Sequence, residues 1–225
     1  MPHYARLSGV FLLVAGLAGS AGAQTIPPTP YLSFSDSPFA TETFDYFHLE
    51  DFEDAALNTP GATASGGFVN GPATTTDSVD ADDGLIDGLG QLGHSYYIND
   101  NVIQFDFDPL LLGNYPTHVG IAWTDVGAVA SDIFGVGVVE FEAFDADSVS
   151  LGSEAALLGD GSINGQTGED RFFAVTNPGG ISFITLTMLD STDWEVDHLQ
   201  YGYVPEPATA LLFALGLAGL TRRRS

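Results

Sequence analysis

Val102-Ile103-Gln104-Phe105-Asp106-Phe107 alternates apolar and polar side chains without a break. Ile103, Phe105 and Phe107 fall on one face, Gln104 and Asp106 on the other, the period of a strand with one side in a core. Val119, Ile121 and Trp123 make a second stripe of this kind, with glycine and alanine between them. Further strands are read over Val136 to Phe144, Arg171 to Val175, Ile181 to Leu189 and Trp194 to Tyr203. Earlier ones fall over Phe44 to Phe52, Phe68 to Val69 and Ser95 to Ile98. Between them lie turn-forming clusters such as Asn99-Asp100-Asn101 and Asn177-Pro178-Gly179-Gly180. Ser153 to Leu158 alone suggests a helical period, for one short turn. About nine strands with almost no helix predict an all-β fold, an antiparallel β-sandwich or jelly roll.

The ends of the 225-residue chain read differently from its middle. Arg6 precedes an apolar run from Leu7 to Leu17. Small residues follow, closing in Ala21-Gly22-Ala23, so a signal peptide over 1–23 is predicted, with cleavage after Ala23. Residues 24–43, with Pro27, Pro28 and Pro30, read as an extended lead-in, and residues 44–203 as the sandwich. At the other end, Pro205-Glu206-Pro207 is followed by an uncharged run from Ala208 to Leu220 and by Arg222, Arg223 and Arg224. A helix over 208–220 reaches roughly 20 Å, short of a hydrocarbon core about 30 Å thick. The arginines place its end on the cytoplasmic side of the membrane.

The net charge is −25, with no lysine and no cysteine. Of thirty carboxylates all but Glu206 lie in the middle of the chain, against Arg171 as its one cation. Such a surface repels nucleic acid and anionic lipid, and no nucleic-acid partner is expected. Without cysteine there is neither a disulfide framework nor a thiolate metal site. A hydrophobic content of 44% and an aromatic content of 12% supply enough apolar surface to fold despite the charge.

Order and position make the tail specific. Pro-Glu-Pro, a short apolar helix and a terminal arginine cluster resemble the PEP-CTERM sorting signal of Gram-negative exopolysaccharide producers, a tail also called the ice-binding protein C-terminal domain. The resemblance, over residues 204–225, implies export, transient anchoring in the inner membrane through the tail helix, and trimming by an exosortase. The released protein is then destined for the cell surface or an exopolysaccharide matrix. Trp194 to Gly202, Gly168 to Phe173 and Asp51-Phe52-Glu53-Asp54 resemble segments of the lectin-like jelly rolls in other proteins with this tail. In related carbohydrate-binding jelly rolls the first and last strands are adjacent and share a structural calcium. By that resemblance Glu53, Asp54 and Asp197 form one candidate calcium site.

A second candidate is the run from Asp77 to Gly88, with Asp80, Asp82, Asp83 and Asp87 among its five aspartates. It reads either as a solvated acidic loop or as a loop wrapped around calcium. Its spacing departs from an EF-hand, since Ala81 and Val79 occupy positions where ligands belong. Arg171 is expected to pin the sheet through Asp170, Asp197 or Glu53. The histidines lack zinc-site spacing, and no Gly-x-Ser-x-Gly elbow is present. No enzymatic activity is expected. Tyr96, Tyr97 and Trp194 are candidate stacking platforms for a sugar, whereas Trp123 belongs by its stripe to the core. The function expected is structural or adhesive. The alternative is a calcium-dependent carbohydrate-binding module, and a polysaccharide-acting enzyme is more distant.

Overall fold

The computed structural model describes residues 22–126, 136–162 and 164–205. Ala21, Glu206, Pro207, the run 208–220 and Arg222 to Arg224 lie outside the described residues. Ala23 is exposed just ahead of the first strand, and Pro205 is exposed just after the last. Among the described residues no helix is long and apolar enough to cross a membrane.

The described residues form twelve strands: β1 (Gln24–Pro30), β2 (Tyr46–Glu50), β3 (Ala62–Ala64), β4 (Phe68–Asn70), β5 (Ser95–Ile98), β6 (Val102–Phe107), β7 (His118–Asp125), β8 (Gly137–Phe144), β9 (Ser150–Leu158), β10 (Arg171–Thr176), β11 (Phe183–Met188) and β12 (Trp194–Tyr203). One sheet has the order β1-β10-β7-β12-β5-β4, with β2 also paired to β12, and the second has the order β3-β6-β11-β8-β9. Every pairing between strands is antiparallel. This is the sandwich that the alternation predicts. The sheets meet over a core that includes Ile103, Phe105, Ile121, Trp123, Phe141, Phe173, Ile184 and Trp194. Trp123 stacks on Trp194 at 4.6 Å between ring centroids.

Two parts of the sequence reading are corrected. The stretch Ser153 to Leu158 belongs to strand β9, and Glu140↔Ala155 and Val138↔Leu157 are among its partners on β8. Residues 24–43 are part of the domain. β1 pairs with β10 at the sheet edge, and its register shifts between Ile26 and Thr29, where Pro27 and Pro28 sit. Proline is tolerated there because an edge bulge asks for no ladder N–H. Tyr31 and Phe39 then turn onto the outer face of this sheet and bury Ala122, Phe172 and Ala174 in a second apolar cluster with Val79.

The larger sheet is therefore covered on both faces. That is why every residue of β12 except Tyr203 is buried, whereas β8 alternates between buried and more exposed positions. Gly120 belongs to this arrangement, since a Cβ there would meet the Phe172 ring at 2.5 Å.

Candidate metal centre

The outer face of the larger sheet carries most of the buried acid. Register decides which side chains point there. Residues directly opposite one another in an antiparallel ladder share a face. Val196 pairs with Trp123, both in the core, so Asp197 and its partner Ala122 face outward.

Two bulges in the β12–β7 ladder add to this set. Glu195 pairs with Asp125 and Val196 with Trp123, so Thr124 is an extra residue on β7 and Asp125 turns outward beside Glu195. Asp197 pairs with Ala122 and Gln200 with Gly120, so His198 and Leu199 together stand opposite Ile121. Leu199 stays in the core and His198 is turned outward. His198 adopts φ +47, the left-handed region that a non-glycine residue occupies only under constraint.

Residues 76–91 close over this face. Val79 N–H donates to Asp197 Oδ2 at 2.9 Å, and Asp77 N–H donates to Glu195 Oε2 at 2.5 Å. Ser78 donates through both its N–H and its hydroxyl to the Gly90 carbonyl. A Cβ on Gly90 would overlap the Ser78 carbonyl, so only glycine permits this approach.

Two groups of ligand-type side chains result. In each, one donor atom per residue lies within 4.8 Å of the others. The first comprises Asp82, Asp197 and His198. Its hydrogen bonds form a continuous chain. Ser37 Oγ donates to Gln200 Oε1 and Gln200 Nε2 donates to the Tyr31 hydroxyl. Tyr31 in turn donates to His198 Nδ1 at 2.8 Å, which leaves His198 Nε2–H to donate to Asp82 Oδ1 at 2.9 Å. Asp197 also accepts from the His198 N–H. Burial, and then the neighbouring Asp82 carboxylate, hold the Asp197 carboxyl well above the usual range.

The second group comprises Asp77, Asp125 and Glu169, all buried. Burial pushes Glu169 up to about 9, aided by the charges of Asp125 and Asp160 and by a carboxyl–carboxyl contact with Asp125. The Val126 N–H opposes this weakly, approaching without hydrogen-bond geometry. Asp77 is raised by burial and then by Asp170, Asp125, Glu169 and Glu195. Asp170, beside Glu169 in sequence, is raised by burial and by Glu169, against the pull of Arg171. Burial takes Glu195 to about 7, although Asn70 Nδ2 and the Asp77 N–H donate to its oxygens.

The sequence-derived candidates divide accordingly. The structure brings Asp82 and Asp197 together but not their expected companions. Asp80 is buried and accepts from the N–H groups of Asp87, Gly88 and Leu89, so backbone donors already hold its carboxylate. Asp83 caps a turn through Leu85 N–H, and Asp87 is exposed. Glu53 engages His94, and Asp54 accepts from Ala56 N–H and Asn58 Nδ2 in a local turn. The closing strand β12 pairs with β2, while the first strand, β1, pairs with β10.

Arg171 does not clamp the Asp170 carboxylate. Its Nη1 donates to the carbonyls of Gly168 and Asp170, and neither carboxylate oxygen of Asp170 has a hydrogen-bond partner. Of the stacking candidates, Tyr96 and Trp194 are core residues. Tyr97 is half-buried and packs against the exposed Phe68 with centroids 5.1 Å apart. Of the second acidic group the sequence reading touched only Asp77, as the first aspartate of the acidic run; its convergence with Asp125 and Glu169 escaped, because the three are scattered along the chain. The available signal was a slip in alternation at Trp123-Thr124-Asp125, repeated at Asp197-His198.

Among comparisons with known proteins, the PEP-CTERM protein-sorting motif family matches residues 204–225. The motif indicates an exported protein, sorted to the cell surface and processed by an exosortase-type enzyme. No curated protein matches the chain. A solved structure, the enzymatically active domain of tailspike protein 4 of bacteriophage CBA120, is similar at 12% identity with a TM-score of 0.35. That similarity covers 69% of this chain and 21% of the tailspike chain, and bears on neither fold nor activity.

Proposed function

We propose that this chain is an exported surface or matrix protein whose sandwich, a lectin-like jelly roll, has a structural or adhesive role and performs no catalysis. The observation that carries this reading is the sorting motif at 204–225, which follows directly on the closing strand β12. The apolar run 208–220 holds the protein transiently in the inner membrane until an exosortase trims it, and exopolysaccharide is the partner in the matrix. The enclosure of Asp82, Asp197 and His198 among their own hydrogen bonds favours a structural over a catalytic cluster. Calcium in this reading is a structural ion beneath the outer loop.

Replacing Pro205-Glu206-Pro207 by alanines in the native host tests the reading. The expected result is loss of the trimmed form and retention of the full-length protein in the inner membrane. A variant trimmed and delivered to the matrix like wild type would refute it.

A second reading, a calcium-dependent carbohydrate-binding module, is favoured by the Phe68–Tyr97 pair on β4 and β5 at the sheet edge. Replacing both rings by alanine is expected to abolish retention on exopolysaccharide without lowering the melting temperature. Unchanged retention removes this alternative.

A further inference from the structure

The two acidic groups under the loop differ in how their oxygens are satisfied. Around Asp82, Asp197 and His198, backbone and side-chain donors meet every carboxylate oxygen but Asp82 Oδ2. The other group is far less well provided for, the carboxyl–carboxyl contact of Glu169 with Asp125 apart. Asp77, Glu169 and Asp170 are 2%, 3% and 1% exposed. Asp77 Oδ1, both oxygens of Glu169 and both oxygens of Asp170 lack a hydrogen-bond partner. A buried acceptor without a donor is costly, and a buried carboxylate without a counter-charge far more so. Protonation removes the charge but creates new hydroxyl donors that also need partners. A cation removes both difficulties at once.

We infer that Asp77, Asp125 and Glu169, with Asp170 beside them, form a calcium site that staples the outer loop to the ends of β7 and β10. One oxygen from each of the first three lies within 4.8 Å of the others. Two oxygens each about 2.4 Å from one calcium ion lie at most about 4.8 Å apart, so the three are spaced as ligands of a single ion are. The donors are hard carboxylate oxygens only, which suits calcium or magnesium rather than zinc or copper. Calcium is favoured over magnesium because it accepts an irregular, largely dehydrated cage, whereas magnesium keeps several waters. A divalent ion offsets much of the repulsion among these carboxylates, with the Arg171 guanidinium acting on Asp170.

The ion explains why the bulged end of β7 is built as it is. Thr124 turns Asp125 outward, the chain before β10 brings Glu169 and Asp170, and Asp77 comes down from above. The three segments are far apart in sequence; β7 and β10 are joined by their ladder, and the ion ties the loop that carries Asp77 to both. The inference refines the structural-ion part of the proposed function and is independent of export, so a failure of sorting leaves it standing and the reverse also holds.

The test uses the full chain stripped with EDTA. Terbium, a hard oxygen-seeking stand-in for calcium, is titrated in while tryptophan is excited. Trp123 Nε1 donates to the Asp125 carbonyl at 3.0 Å, which puts an indole antenna beside the site. Saturable terbium emission displaced by calcium is expected. Calcium at about one hundred times its Kd is expected to raise the melting temperature by about 5–10 °C.

The Asp77→Asn/Glu169→Gln double variant and the Asp170→Asn variant should lose that shift while melting in EDTA no lower than wild type, since they relieve repulsion. Asp82→Asn should keep the shift. If the double variant does not fold, Asp170→Asn and the wild-type terbium titration decide. No terbium emission and no calcium shift in wild type would overturn the inference. So would a shift lost in Asp82→Asn but kept in the Asp77/Glu169 variant.

Discussion

Raising the pH of the calcium-free protein charges carboxyls that the fold holds protonated, and the size of the effect follows from two of them. Burial raises Glu195 to about 7 and Glu169 to about 9, from an ordinary value near 4.5. Both side chains are almost wholly buried, so solvent screening reduces the effect little. Between about pH 5 and 7 the native state binds both protons and the unfolded chain neither. Stability therefore falls with rising pH, by about 1.4 kcal/mol per pH unit per proton and about 2.7 kcal/mol per pH unit for the two. Between about pH 7 and 9 Glu169 alone continues the fall at half that slope.

Asp77, Asp170 and Asp197 are raised as well and act in the same direction, titrating jointly with their neighbours. For a domain of this size the lower window corresponds to about 5–10 °C of melting temperature per pH unit. Two pH units consume about 5 kcal/mol, comparable with the whole net stability of an ordinary domain. Circular-dichroism melts in EDTA at pH 5, 6, 7 and 8 measure it, with a parallel series in calcium, where the ion keeps the carboxylates charged and the slope flattens. A calcium-free melting temperature that stays level or climbs between pH 5 and 7 refutes the reasoning.

Other perturbations probe the scaffold. Trp194→Ala removes one ring of the Trp123–Trp194 stack and should cost about 3–5 kcal/mol in a denaturant titration. His198→Val should be less stable than His198→Asn by about 1–2 kcal/mol. Both lose the bonds to Tyr31 and Asp82, but only asparagine tolerates the left-handed backbone. Gly90→Ala should cost about 1–3 kcal/mol by pushing on the Ser78 carbonyl, and limited proteolysis should then cut within residues 71–94 first.

Much of the architecture was readable because strands carry a period of two. Val102 to Phe107, the stripe at Val119, Ile121 and Trp123, and Trp194 to Tyr203 all form strands where the alternation places them. Alternation fails where a strand leaves the ordinary pattern. β1 carries three prolines and β9 is an edge strand with small residues, so neither declares itself. The acidic run at 77–88 was correctly singled out as unusual. Which of its aspartates meet a partner was not readable, since Asp80, Asp83 and Asp87 differ from Asp77 and Asp82 only in where the loop happens to point them.

Sequence alone was enough for the properties that depend on local order. The β class rests on side-chain alternation, and the sorting tail on the succession Pro205-Glu206-Pro207, apolar run and arginines. Only the tertiary structure could say that Trp194 and Tyr96 are interior, that Arg171 holds carbonyls, and that Asp77, Asp125 and Glu169 converge. Those facts depend on strand register, and a register displaced by one bulge residue moves a carboxylate from one face of a sheet to the other while leaving the composition untouched.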